Sequence, residues 1–197
     1  MAKKGTRRQD HLARQAQKEG FRARSVYKLA AIHQKFDLFH PGDRVLDLGA
    51  APGSWSQYVV PLVGGNGGVV AVDLQEFSVP GALCRQGDFT DDEIRQWITE
   101  HGPYTHVISD AAPATTGNRI VDTARSEGLV ESILAELPGW LHPGGAVVCK
   151  VFQGGGQQTL LQEVRRLCQK GYLYRPEAVR NESFETYLVG INYSAST

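Results

Sequence analysis

Four ionisable side chains, Lys28, Asp110, Lys150 and Glu185, interrupt stretches that are otherwise apolar or end in turn residues. Lys150 is the sharpest case, because it stands inside the run Ala146-Val147-Val148-Cys149-Lys150-Val151-Phe152. An ammonium group there must either pair with a carboxylate or give up its charge, since a bare buried charge is too costly. A lysine beside a second cation can be pushed toward its neutral amine and act as a general base, with carboxylates holding it in orientation. The chemistry that suits two lysines and two carboxylates of this kind is removal of a proton from a hydroxyl as its oxygen attacks an activated carbon. Each residue taken singly fits a structural salt bridge equally well.

The ligand that would carry such a carbon is read from a small-residue turn, Asp47-Leu48-Gly49-Ala50-Ala51-Pro52-Gly53-Ser54-Trp55. It joins the apolar segment Arg44-Val45-Leu46 to a stretch with apolar groups at helical spacing, as the first strand–turn–helix unit of a doubly wound sheet does. Gly49 and Gly53 let the backbone turn tightly and approach a ligand, and the amides that open the helix favour negative charge. The chain contains no G-x-x-x-x-G-K-[ST], and Gly49-Ala50-Ala51-Pro52-Gly53 does not fit G-x-G-x-x-G, which argues against triphosphate and pyrophosphate cradles. Twenty-six residues after Asp47, an apolar strand ends on Asp73, placed to accept both hydroxyls of a ribose. A nucleoside without a pyrophosphate points to S-adenosylmethionine, whose methyl is the activated carbon.

These residues need a scaffold that brings strand ends together. Ser25, as an N-cap, predicts a helix with the face Val26, Leu29, Ala30, Ile32, His33 and Phe36, ending before Pro41-Gly42. Strands are predicted over residues 44–48, 69–73, 82–85, 105–109, 146–152, 172–177 and 185–191, and further helices over 54–62, 91–100, 122–140 and 157–170. Asp110 then lies at the carboxyl edge, where Pro113 prevents further pairing. Strands and helices in alternation imply an α/β sandwich with a mostly parallel, seven-stranded sheet, and the last two strands, joined without a helix, run antiparallel. Ligands bind such sheets at the carboxyl ends of the strands.

At 197 residues the chain reads as one domain, residues 21–197, behind a basic arm over residues 1–20. The arm is polar, lacks a periodic apolar face and is expected to be flexible until a partner orders it. Net charge is zero, yet residues 1–30 hold nine Lys/Arg (Lys3, Lys4, Arg7, Arg8, Arg14, Lys18, Arg22, Arg24, Lys28) against Asp10 and Glu19, a net of +7. A second basic run comprises Arg165, Arg166, Lys170, Arg175 and Arg180. A basic arm on an acidic body suits a polyanion such as RNA. Three scattered cysteines, Cys84, Cys149 and Cys168, and the absence of clustered His/Cys spacing imply a reducing compartment and no structural metal. No apolar run has signal or membrane-spanning length, so a cytoplasmic protein is expected.

Five motifs in register resemble those of the FtsJ-type RNA ribose 2′-O-methyltransferases. They are Phe21-Arg22-Ala23-Arg24-Ser25-Val26-Tyr27-Lys28-Leu29, Asp47 to Gln57 with its Gly-Ala-Ala-Pro-Gly turn, Ser109-Asp110-Ala111-Ala112-Pro113, Lys150-Val151-Phe152-Gln153-Gly154 and Ser183-Phe184-Glu185-Thr186-Tyr187. The resemblance spans roughly residues 20–192. It implies a Rossmann-like methyltransferase fold, S-adenosylmethionine as cofactor, and a catalytic Lys-Asp-Lys-Glu tetrad that falls on Lys28, Asp110, Lys150 and Glu185. It also implies cofactor contacts at Gly53 and Trp55, at Asp73 for the ribose, Asp88 for the adenine edge and Asp110 near the methionine end, beside Gly49 in the turn. Within the family, the compact length and short basic arm are most similar to the bacterial branch that methylates a uridine ribose in the A-loop of large-subunit rRNA on the ribosomal particle; the sequence leaves the oligomeric state open, a monomer being favoured. The segments Arg22 to Lys28 and Gly53-Ser54-Trp55 resemble equally the tRNA anticodon-loop branch. A catalytically silent RNA-binding assembly factor with the same fold is the third reading.

Overall fold

The structure, a computed structural model, describes residues 4–179 and 183–194, with the backbone alone for residues 4–10. Lys3 and Arg180 of the two basic runs lie outside the described residues, as do the side chains of Lys4, Arg7 and Arg8. In chain order the elements are α1 (Lys4–Lys18), α2 (Val26–Phe36), β1 (Arg44–Leu48), α3 (Ser54–Val63), β2 (Gly68–Asp73), β3 (Ala82–Gln86), α4 (Asp92–Glu100), β4 (Tyr104–Ser109), α5 (Arg119–Trp140), β5 (Leu141–Phe152), α6 (Gln157–Leu167), β6 (Cys168–Tyr174) and β7 (Glu185–Tyr193).

The seven strands form one sheet in the order β3-β2-β1-β4-β5-β7-β6. β1 pairs in parallel with both β2 and β4, so strand order reverses between β1 and β4, and their carboxyl ends flank the crevice where such sheets bind ligands. β7 inserts between β5 and β6 and is antiparallel to both. The register sets Lys150 opposite Tyr187 and Phe152 opposite Glu185. Insertion of β7 therefore carries Glu185 to the same edge as Lys150.

Because the central strands are covered on both faces, they read as continuous apolar runs rather than alternating ones. One face packs Ile98, Leu137, Trp140 and Val164 from α4, α5 and α6 over Leu46, Val107 and Val147. The other packs Leu29, Ile32, Trp55 and Val59 from α2 and α3 over Val45, Ile108 and Val189.

Several predicted bounds shift, each for a local reason. Within the basic arm, for which no helix is predicted, Lys4–Lys18 form α1, rich in Arg, Gln, Lys and Ala, which favour helix, and Ala16 is seated at 1% exposure. α5 begins at Arg119 because Asn118 caps it, its side chain accepting from the Ile120 and Val121 amides. α6 stops at Leu167, where pairing of Cys168 with Tyr193 draws the chain into β6. Ser25, predicted as the cap of α2, makes no capping bond; its hydroxyl meets that of Ser54 at 2.8 Å, tying α2 to the start of α3.

Candidate active site

The turn after β1 is held by its own backbone and by Asp73. Gly49 (φ +71°) and Gly53 (φ +103°) take left-handed conformations open to glycine at little cost. The Gly49 amide donates to Val72 O at 2.9 Å, and the Ala51 amide donates to Asp73 Oδ2 at 2.9 Å. Asp73 Oδ1 accepts from the Gln75 amide at 2.8 Å, which orients the carboxylate at the end of β2. Asp88 is fixed similarly, its Oδ1 accepting from the Thr90 amide and hydroxyl at 2.8 and 2.7 Å.

A cavity of about 570 Å³ opens beside this turn, lined among others by Gly49, Asp73, Asp88 and Asp110, together with Leu74, Phe89 and Ala111. Four of the predicted cofactor residues thus meet around one space. Gly53 and Trp55 lie outside it. A Cβ on Gly53 would meet Val79 Cγ2 at 2.4 Å, so this glycine serves the packing of the turn. Trp55 is buried at 2%; its indole N–H donates to Ser25 O at 2.9 Å and its ring lies 5.9 Å from that of Tyr187. The tryptophan braces α2 rather than facing the cavity. The spacing of the turn motif does not reveal which way its helix faces.

That brace places Lys28. Arg22 adds to it, donating from its amide to Gln57 Oε1 at 3.1 Å and from its guanidinium to Pro52 O at 3.0 Å. Lys28 Nζ then lies 2.6 Å from Glu185 Oε1 and 3.8 Å from Asp110 Oδ1. Lys150 Nζ lies 3.2 Å from the same Asp110 Oδ1 and also donates to the Asp110 carbonyl oxygen. All four side chains are 17% exposed or less, and their formal charges cancel, as burial of ions requires. Pairing answers the question that Lys150 poses in its apolar strand. Tyr187, quoted in the sequence only as part of a motif, is fully buried and donates from its hydroxyl to Asp110 Oδ1 at 2.8 Å. Strand alternation from Glu185 would have indicated that it shares the face of Glu185.

Asp47 is a site-adjacent residue whose chemistry the sequence leaves unmarked. It is 1% exposed, its Oδ2 accepts from Ser56 Oγ at 2.6 Å, and its Oδ1 has no hydrogen-bond partner among the described residues. Burial pushes its carboxyl up to about 7, opposed by the Ser56 hydrogen bond and reinforced by the charges of Asp110 and Asp73. The folded protein therefore holds a proton that the unfolded chain releases above about pH 4. The stability that proton contributes is complete below about pH 4, declines as pH rises to about 7, and is lost above, a change of roughly 4 kcal/mol. Asp47→Asn should flatten this component. Thermal unfolding at about pH 5 and pH 8 should show wild type losing more stability than the variant across that interval, and equal losses would refute the assignment.

Among the described residues no group of three or more His, Cys, Asp or Glu is arranged to hold a metal ion. No helix among them is long and apolar enough to cross a membrane. The cavity offers instead a carboxylate at a strand end, a second carboxylate across the space, and a glycine wall where a Cβ would meet Ala111 at 2.6 Å. That donor set fits the nucleoside of S-adenosylmethionine.

Known proteins agree with this architecture. A protein of Treponema denticola named ribosomal RNA large subunit methyltransferase E is 48% identical over 98% of this chain and 99% of its own length. A structure from Plasmodium falciparum assigned as a ribosomal RNA methyltransferase superposes with a TM-score of 0.78 at 24% identity, covering 88% of this chain and 98% of that one. Aeropyrum pernix fibrillarin, solved with S-adenosyl-L-methionine bound, matches the fold with a TM-score of 0.61 at 14% identity over 85% and 76% of the two chains. The model of the FtsJ-like methyltransferases matches residues 21–193, from the segment that opens α2 to the end of β7. With every element that builds the cavity and the ion cluster inside that match, the chain belongs to the FtsJ-like methyltransferase family.

Proposed function

We propose that this chain methylates the ribose 2′-hydroxyl of a uridine in the A-loop of large-subunit rRNA, working as a monomer on the large (50S) ribosomal subunit. The observation that carries the reading is the cluster of Lys28, Asp110, Lys150 and Glu185, beside a cavity suited to a nucleoside cofactor. The name of the Treponema denticola relative supports the choice of large-subunit rRNA. The basic residues preceding and opening α2 supply charge for a polyanion.

S-adenosylmethionine supplies, when bound, an electrophilic methyl group on a positively charged sulfur. Asp73 would hold its ribose and Asp88 its adenine edge, with Gly49 and Gly53 shaping the turn, Asp110 near the methionine end, and Trp55 acting through α2. Lys150 would accept the proton of the 2′-hydroxyl as that oxygen bonds the methyl carbon, and the carbon–sulfur bond would break with its electron pair left on sulfur. Asp110 orients Lys150, and the Lys28–Glu185 pair steers the attacking oxygen. Most of the acceleration comes from holding the oxygen and the methyl group in one geometry.

Transfer of labelled methyl to three separate acceptors tests the proposal: undermethylated large subunits, naked large-subunit rRNA and unmodified tRNA. Label on the subunits at the uridine ribose is the expected result. Label on tRNA alone would overturn the substrate and favour the anticodon-loop alternative. Cofactor binding without transfer to any acceptor would favour the silent assembly factor.

A further inference from the structure

We propose that the seam between the last turn of α2 and the edge strand β6 is a stacking site for an unpaired RNA nucleotide that flanks the one delivered to Lys150. The inference rests on the RNA substrate proposed above. It starts from Tyr172 and Tyr174 of β6, which lie between Lys170 and Arg175 of the second basic run.

Register places Tyr172 opposite Val189 and Tyr174 opposite Tyr187, so both tyrosines stand on the face of the sheet that α2 covers. Phe36, the last residue of α2, rests on both, with ring centroids 5.2 Å from Tyr172 and 5.6 Å from Tyr174. Lys35 Nζ sits 5.3 Å from the centre of the Tyr174 ring and 5.8 Å from that of Phe36. Lys35 is exposed and forms no salt bridge among the described residues, so its charge is free to meet a phosphate. Tyr172 keeps 39% of its surface exposed on the outermost strand. Asp37, next in the chain, is exposed, with His40 Nε2 3.6 Å from its carboxylate.

The seam also lies on a path from the ion cluster. Arg175, directly after Tyr174, donates to the carbonyl oxygens of Glu185 at 3.3 Å and Ser183 at 2.7 Å. Lys28 and Lys35 are two helical turns apart, about 10 Å, which is the length of roughly three stacked nucleotides. Cations interleaved with aromatic faces hold single strands, because a phosphate meets the cation while the base stacks on the ring. A duplex hides its base faces, so the ligand must be an unpaired nucleotide. An acidic protein surface would use the lysine and leave the aromatic faces without a stacking partner.

The test compares full-length wild type with Tyr172→Leu, Tyr172→Phe and Lys35→Ala. It measures affinity for naked large-subunit rRNA over a range of salt, cofactor affinity, and KM and kcat on undermethylated large subunits. Tyr172→Leu keeps the apolar cover of the strand, and its melting temperature checks that it folds. It should weaken RNA binding and raise KM roughly tenfold while leaving kcat, cofactor affinity and the salt slope unchanged. Tyr172→Phe should behave as wild type. Lys35→Ala should reduce the salt slope by about one. Unchanged Kd and KM in Tyr172→Leu and Lys35→Ala would overturn the seam while the enzyme still methylates RNA. Weaker binding to subunits with unchanged binding to naked rRNA would assign the seam to a ribosomal protein and overturn it equally. A wild type that methylates no RNA would instead sink the reading on which the seam rests.

Discussion

Lys150→Ala should reduce methyl transfer by about a thousandfold while cofactor affinity stays within severalfold of wild type, since a positioned base contributes about 10²- to 10⁴-fold. The separation follows from where the side chain lies. Lys150 Nζ engages the carboxylate and carbonyl of Asp110 at the cluster, and the residue is not among those that line the nucleoside cavity. Removing it leaves Asp110 with Lys28 at 3.8 Å and with the Tyr187 hydroxyl at 2.8 Å, so the carboxylate keeps partners and the wall of the cavity keeps its place. Lys150→Arg distinguishes a base from an ion-pair partner. Arginine restores the charge opposite Asp110 but stays protonated at neutral pH, so it should not restore transfer. Single-turnover transfer and calorimetric cofactor binding on the same preparations check both points, and rescue by arginine would reassign Lys150 to a structural ion pair.

Gly49→Ala should abolish detectable cofactor binding, by about a hundredfold or more in affinity, and methyl transfer with it. A Cβ on Gly49 would lie 2.6 Å from Ala111 Cβ, 2.7 Å from Ala111 Cα and 2.9 Å from Ala111 N. Two of these are backbone atoms, so no flexible side chain can swing away. Relief must come from moving either the turn or Ala111, and Ala111 is bonded to Asp110. Forcing a methyl into packed space costs about 1–3 kcal/mol, and the left-handed backbone at φ +71° adds strain for a residue with a side chain. Gly65→Ala is the matched control, because a Cβ there meets nothing within 4 Å. Calorimetric titration with the cofactor, beside thermal melts of both variants, checks the prediction. Full affinity in Gly49→Ala would mean that the turn and the 110–113 loop do not share a wall.

The sequence alone determined the α/β class, most of the strand and helix positions, and the strand-end placement of Asp73 and Asp110. The physical reason is that apolar period, glycine turns and the proline after a strand act over a few residues, and those signals survive without knowledge of the fold. They also identified Lys150 as an anomaly, because a charge inside an apolar run needs no partner to be conspicuous. Bounds were less legible where one signal competed with another, as at Cys168, where strand pairing overrode the continuing helical pattern.

Other properties required the tertiary structure because they depend on residues far apart in the chain. Lys28 meets Glu185 only because Ser25, Trp55 and Arg22 tie α2 to the turn and because β7 enters the sheet beside β5. The bracing role of Trp55, the burial of Asp47 and the covering of Tyr172 and Tyr174 by Phe36 are likewise matters of which face turns toward which neighbour. Residue types and spacing supply the groups that can do the chemistry, but a distance of 3.2 Å between Lys150 and Asp110 is set by packing and strand register, which no local pattern encodes.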